Sequence, residues 1–242
     1  MRTVAIIPAR YGSTRLPAKP LLKQTGRYLI QHVYENVAKA RRLQGVCVAT
    51  DDQRIFEAVH SFGGQAVMTR EDHPSGTDRL AEAAAKLGLA DDDVVVNVQG
   101  DEPEMNPAYI DTLVDLLLAK RTPMATLAAP LEAGQAQRPS SVKVVLASTG
   151  LALYFSRARI PFDRDGIGAS YLLHLGIYAY RKDFLLTYAK LPSTPCEQAE
   201  KLEQLRALEH GYPIAVAVVP AANFGIDTME DYEAFVKREA RK

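Results

Sequence analysis

The chain has 242 residues, 47% of them hydrophobic, 24% charged and 7% aromatic. A chain of this length and make-up can bury a soluble globular core without disulfide or metal staples. Basic and acidic residues number 29 each, a formal net charge of zero, which argues against a protein built to grip nucleic acid or an anionic membrane. The balance is uneven, however. Arg2, Arg10, Arg15, Lys19, Lys23 and Arg27 all precede the first acid, Glu35, leaving 23 bases against 29 acids in the remainder. Cys47 and Cys196 stand far apart with no CxxC pair, so neither a zinc site nor a disulfide framework is expected. No apolar stretch approaches membrane-spanning length, and the opening run is too short for a signal peptide, so a soluble cytoplasmic protein is expected.

Residues 4–7 (VAII) read as a buried strand stopped by Pro8, followed by a long polar loop and a helix over 29–42. Strands are predicted at 45–50, 65–68 and 94–98. Helices are predicted at 52–62, with Ile55, Ala58, Val59 and Phe62 on one face, and at 77–87 and 106–119. Buried apolar strands alternating with helices predict a Rossmann-like α/β fold with a mostly parallel sheet covered by helices on both faces. From there the pattern changes to strand-like runs at 124–130, 142–146 and 152–156. The run 172–180 alternates with period two, placing His174, Gly176, Tyr178 and Tyr180 on one face. A helix over 197–208, a strand over 214–219 and a helix over 229–238 close the chain. The expectation is a single domain over 1–242 with an antiparallel insertion near 130–182.

The segment 8–20 (PARYGSTRLPAKP) lies at the carboxyl end of the first strand, where open α/β sheets bind ligands. Arg10, Arg15 and Lys19 stand there with no acid among them, beside Gly12 and Ser13, whose backbone can approach a phosphate closely. Cations so placed suit a nucleoside triphosphate, because negative charge grows on the departing pyrophosphate during attack at the α-phosphorus. Neither GxxxxGK[ST] nor GxGxxG is present, so a P-loop NTPase and a Rossmann dehydrogenase are unsupported. Asp101, in the run NVQGDEP (97–103) at the end of the fourth strand, is a natural ligand for Mg²⁺, which prefers one or two carboxylates plus phosphate oxygens. It could also simply begin a turn. Asp227, in GIDT (225–228), is equally open between metal binding and helix capping, since Thr228 and Asp231 resemble a capping box. Ser75 or Thr77 should cap the helix that SGTDR (75–79) opens, and the cap reading is preferred for Asp51 and Asp52.

Together with ATDD (49–52), LYFSRA (153–158), HLGIYAYR (174–181) and LEQLRALE (202–209), these motifs resemble the sugar-nucleotide cytidylyltransferases along nearly the whole chain. Within that family they resemble the branch acting on 3-deoxy-manno-octulosonate (Kdo). Ala18 departs from the pattern, since many relatives have Gly before the lysine, and the segment after Pro161 is shorter than in some. The resemblance implies transfer of the cytidylyl group of CTP to Kdo, giving CMP-Kdo and pyrophosphate for lipopolysaccharide. It also implies a sheet of the nucleotide-diphospho-sugar transferase type and a homodimer joined through the inserted segment, which would also form the sugar site. Residue by residue, it implies that Pro8, Ala9, Arg10, Arg15, Lys19, Ser75, Gly76, Arg79 and Gln99 bind the nucleotide. Asp101 and Asp227 would hold Mg²⁺. Gln99, Arg157, His174, Tyr178, Glu203 and Gln204 would bind the sugar, Arg157 meeting its carboxylate. Other acidic sugars, such as 8-amino-Kdo or sialic acid, or a non-catalytic nucleotide-binding regulator, are the alternatives.

Overall fold

The computed structural model describes residues 1–12, 16–223 and 225–241, which divide into two compact units. The first comprises Met1–Asp111 and Asn223–Lys242, and the second Thr112–Ala222. The second unit takes in the 130–182 segment expected as an insertion and extends well beyond it. No helix among the described residues is long and apolar enough to cross a membrane.

The first unit carries strands β1 (Thr3–Ala9), β2 (Gly45–Thr50), β3 (Ala66–Met68) and β4 (Val94–Asn97) in the order β3-β2-β1-β4. All three pairings are parallel. Helices α1 (Leu29–Val37), α2 (Gln53–Ser61) and α3 (Gly76–Lys86) make the crossovers. Ala5, Ile6, Ile7, Val48, Val95 and Val96 are fully buried. Such apolar runs are what a parallel sheet requires.

Two boundaries in the first unit differ from expectation by more than one residue. Strand β1 continues through Pro8, which pairs with Ala49. Backbone groups alternate sides along a strand, so the N–H that proline lacks belongs to the β4 side, where pairing ends at Ile6 and Asn97. Helix α1 ends at Val37 rather than residue 42. The Asp111 carboxylate accepts the Arg42 backbone N–H at 2.8 Å and holds the chain in another direction.

Helix α4 (Pro107–Lys120) contains the division between the units. The second unit then holds β5 (Met124–Leu131), β6 (Lys143–Leu146), β7 (Ala152–Ser156), β8 (Tyr171–Arg181) and β9 (Ile214–Val218). Strand β5 lies between β8, antiparallel, and β9, parallel, while β6 pairs with both β7 and β8. Helix α5 (Lys182–Tyr188) was not foreseen. It follows β8 without a break, and buried Phe184, Leu185 and Tyr188 account for it. The helix expected over 197–208 is two, α6 (Pro195–Glu200) and α7 (Gln204–Glu209). Lys201 separates them at φ 53°, a left-handed conformation that ends a helix. Helix α8 (Met229–Glu239) returns the chain to the first unit.

Candidate functional site

The basic loop leaves β1 at Ala9 and returns through a short 3-10 turn, Lys19–Leu21. Ala18 stands at φ 55°, in the left-handed region, the backbone reason that a glycine suits this position. Leu16, at 3% exposure, packs with Leu29, Ile226, Tyr232 and Phe235. At about 1.5–3 kcal/mol for each large apolar side chain, this cluster seats both the loop and the start of α8. Arg10 is exposed and makes no hydrogen bond or ion pair among the described residues, and Arg15 lies outside them.

Lys19 is the centre of the arrangement. Its Nζ donates to Asp101 Oδ2 at 2.7 Å and to the Ile226 carbonyl at 2.7 Å, and lies 4.0 Å from Asp227 Oδ1. The Ile226 N–H in turn donates to the Asp101 carbonyl at 2.9 Å. Two acids 126 positions apart in sequence thus converge on one positive charge. The turn that carries Asp101 needs Gly100, because a Cβ there would sit 2.9 Å from the Pro8 carbonyl oxygen. Burial, with the Asp101 charge beside it, lifts Glu102 to about 7, which makes Glu102 a weak competitor for a cation. Asp227 is not needed as a cap. Thr228 caps α8, accepting the Asp231 N–H at 3.2 Å, while Asp231 Oδ2 accepts the Thr228 N–H at 2.8 Å.

The described residues contain no cluster of three or more His, Cys, Asp or Glu side chains spaced to hold a metal ion. The observed donors are the two convergent carboxylates Asp101 and Asp227. Hard oxygen donors in that number suit Mg²⁺, which completes its shell with phosphate oxygens and water.

Pro8, which Ala9 follows in β1, lies close to Gly76, Pro8 Cγ standing 3.9 Å from where a Cβ of Gly76 would be. Ser75 caps α3, accepting the Asp78 N–H at 3.3 Å. Gln99 is half-buried, two residues before Asp101. The Arg79 side chain has a bracing role. Only 5% exposed, it bonds to Thr69 Oγ1 at 2.5 Å and to the Asp51 carboxylate. Asp52 caps α2 as expected, accepting the Arg54 N–H at 2.9 Å. Asp51 does not cap: it is the ion-pair partner of Arg79, a long-range contact that local spacing cannot reveal.

In the second unit His174 and Tyr178 share one face of β8, their ring centroids 5.4 Å apart. Thr126 Oγ1 lies 2.8 Å from the Ile177 carbonyl, 3.0 Å from the Leu175 carbonyl and 3.2 Å from His174 Nε2. A hydroxyl has one proton and carbonyls only accept, so this network assigns the Nε2–H tautomer and leaves Nδ1 as an acceptor. Burial pushes the imidazole down to about 3, and raises the Tyr178 phenol well above its ordinary value, with Tyr188 and Glu203 adding to the effect. His174 is therefore neutral at physiological pH. Thr126, absent from the expected set, sits in an apolar strand pattern that gave no signal for it.

The folded state resists protonating His174, so its contribution to stability is complete above about pH 6.5 and is lost as pH falls toward 3. Wild type should therefore lose more stability on acidification than His174→Asn, by up to about 1.4 kcal/mol per pH unit. Urea unfolding of both proteins at intervals from pH 7 to pH 4 checks this, and parallel curves would contradict it.

Gln204 is 4% exposed, and its Nε2 is buried without a hydrogen-bond partner. An unbroken helix over 197–208 with Leu202, Leu205 and Leu208 on its apolar face would turn Gln204 away from the core. The break at Lys201 re-phases α7, burying Gln204, Leu205 and Ala207 and leaving Ala199 exposed. Glu203 is exposed, and its carbonyl accepts the Tyr188 hydroxyl at 2.6 Å. The Arg157 guanidinium donates to the carbonyls of Glu200 at 2.7 Å, Pro139 at 3.1 Å and Lys201 at 3.3 Å. Arg157 thus satisfies the carbonyls that the break after α6 leaves open, and the Glu200 carboxylate accepts its backbone N–H at 2.8 Å.

A parallel sheet with a basic loop at its carboxyl edge, and two acids meeting a lysine there, belongs to the α/β nucleotidyl-transferring enzymes. Residues 4–215 match the profile of the Cytidylyltransferase family, and the chain belongs to that family. It is 56% identical over 240 residues to a 3-deoxy-manno-octulosonate cytidylyltransferase of Syntrophobacter fumaroxidans, covering 98% of this chain and 96% of that one. It is 51% identical to an 8-amino-3,8-dideoxy-manno-octulosonate cytidylyltransferase of Shewanella pealeana, covering 96% of each chain. A solved CMP:2-keto-3-deoxy-manno-octonic acid synthetase complexed with CTP superposes with a TM-score of 0.95 at 47% identity, covering 100% of this chain and 99% of that one.

Proposed function

We propose that the chain transfers the cytidylyl group of CTP to the anomeric hydroxyl of Kdo, releasing pyrophosphate and supplying CMP-Kdo for lipopolysaccharide. The observation that carries this reading is the convergence of Asp101 and Asp227 on Lys19 at the carboxyl edge of the parallel sheet, in a chain so similar to named Kdo cytidylyltransferases. The anomeric oxygen forms the new bond to the α-phosphorus as the bond between the α-phosphorus and the bridging oxygen breaks, and the hydroxyl proton leaves to the medium. Lys19, Arg10 and Arg15 receive the charge that grows on pyrophosphate. Asp101 and Asp227 would hold Mg²⁺, which when bound neutralises phosphate charge and acidifies the attacking hydroxyl. No protein nucleophile is required, and the buried Cys47 thiol, pushed up to about 12, is unsuited to be one.

For the sugar, His174 Nδ1 offers an acceptor and Gln204 Nε2 a donor still lacking a partner. Arg157 would reach the sugar carboxylate only by exchanging one of its carbonyl partners. The reaction belongs in the cytoplasm, where CTP is found. We also propose a homodimer, supported by Leu153, Phe162 and Ile167, exposed at 61%, 83% and 88% in the second unit. A light-scattering mass of a single chain would refute the dimer.

A pyrophosphate-release assay tests the reaction by crossing CTP, UTP, ATP and GTP with Kdo, 8-amino-Kdo and sialic acid, with and without Mg²⁺. Release with CTP and Kdo only when Mg²⁺ is present is expected. Preference for 8-amino-Kdo would favour the activity named for the Shewanella relatives, and CTP binding with no release would favour a regulator.

A further inference from the structure

Tyr11 belongs to the basic loop, yet the mechanism gives it no work. Its surroundings are specific. The Arg54 guanidinium carbon lies 3.3 Å from the centroid of the Tyr11 ring, a stacked cation–π contact. That guanidinium is itself held in a two-point fork by Asp52, Nε to Oδ1 at 3.0 Å and Nη2 to Oδ2 at 2.6 Å. Asp52 Oδ1 also caps α2, and the Asp52 N–H donates to Thr50 Oγ1 at 3.2 Å, at the end of buried strand β2. Thr50 pairs with Ala9, the last residue of β1. A continuous set of short contacts therefore runs from the sheet edge through Asp52 and Arg54 to the Tyr11 ring.

Tyr11 is fixed at a second point as well. Its carbonyl accepts the Ala18 N–H at 3.2 Å, which closes the loop immediately before Lys19. The residue thus stands where the basic segment begins and where it closes, with Arg10 on one side and Lys19 following the other. An ion pair between exposed Arg54 and Asp52 alone would contribute little to stability. A planar guanidinium held flat by a carboxylate has a different use, as a platform on which a ring can rest.

We propose that Arg54 is a positioning residue for the nucleotide, acting through Tyr11 to hold the basic loop in the form that presents Arg10 and Lys19 to a triphosphate. The proposal rests on the reading of the loop as a triphosphate site. Holding the loop in place lowers the ordering cost of binding, so its loss appears in affinity and not in the chemical step.

The test compares wild type with Arg54→Met, Tyr11→Phe, Tyr11→Ala and the Arg54→Met/Tyr11→Ala double variant. Two quantities are read: KM for CTP against kcat, and calorimetric binding of inorganic tripolyphosphate, which needs the loop but no base. Arg54→Met should raise KM for CTP and weaken tripolyphosphate binding about fivefold, the scale of an exposed cation–π contact, with kcat unchanged. Tyr11→Phe should match wild type, because it keeps the ring. The double variant should be no worse than Tyr11→Ala, the signature of one shared contact. Unchanged tripolyphosphate binding in Arg54→Met, or effects that simply add in the double variant, would overturn the proposal. Failure of wild type to use CTP would instead refute the proposed reaction, while the tripolyphosphate comparison still decides the role of Arg54.

Discussion

Asp101→Asn and Asp227→Asn should each leave a folded protein whose kcat for pyrophosphate release from CTP and Kdo falls by about a hundred- to a thousandfold, the usual scale for losing one preorganised electrostatic group. Fold retention follows from how the two carboxylates are used. Asp101 anchors its turn through its backbone carbonyl, which accepts the Ile226 N–H whatever the side chain is. The start of α8 is secured by Thr228 and Asp231 rather than by Asp227. What each substitution removes is one of the two negative charges converging on Lys19. Asparagine keeps the shape and one oxygen but neither the charge nor its attraction for a hard cation. Steady-state kinetics at saturating Mg²⁺, with urea unfolding of the same preparations, separate lost chemistry from lost folding. Near-normal kcat in both variants would remove the metal-holding role from these acids.

The two halves of this arrangement differ in how far they could be read from the chain. The basic loop, Asp101 and Ser75 each sit in a short contiguous motif at the end of a predicted strand or the start of a predicted helix. Alternating apolar and polar residues likewise placed His174 and Tyr178 on one face, and the rings meet there. Other features depend on contacts between distant residues. Nothing near Asp227 says that Lys19, 208 positions earlier, will lie beside it; the family resemblance implies only that Asp227 shares a metal ion with Asp101. Asp51 looked like a cap because its partner Arg79 is 28 positions away. The break at Lys201 leaves no local mark, because the apolar spacing of Leu202, Leu205 and Leu208 fits an unbroken helix. The carbonyls freed by the break are satisfied by Arg157, some 43 residues upstream. Local pattern can find a helix, but not a stop whose stabilising partner is tertiary.

Lys19→Met should produce two changes of opposite sign. Lys19 is 12% exposed at its side chain and already places a positive charge between Asp101 and Asp227. An ammonium repels a divalent cation brought to the same carboxylates, so a cation taking both acids works against the Nζ held at Asp101 Oδ2. The protein without nucleotide should therefore bind a divalent cation weakly. On the proposed reading, a triphosphate would give Nζ other oxygens to meet and so free the acids as the nucleotide arrives. Methionine keeps the unbranched apolar stem and removes the charge. Direct binding of Mn²⁺ to the nucleotide-free variant, followed by the loss of free-ion paramagnetic resonance signal, should tighten about tenfold, a small part of the repulsion between charges roughly 4 Å apart. In the same variant kcat for pyrophosphate release should fall by more than about a hundredfold, because one of the cations proposed to receive the departing charge is gone. A lysine that only braced the loop would give the opposite metal result, since loosening Ile226 and Asp101 would scatter the two acids and weaken Mn²⁺ binding. Tighter binding together with lost turnover follows only if one side chain holds the acids in the empty protein and the phosphates in the loaded one.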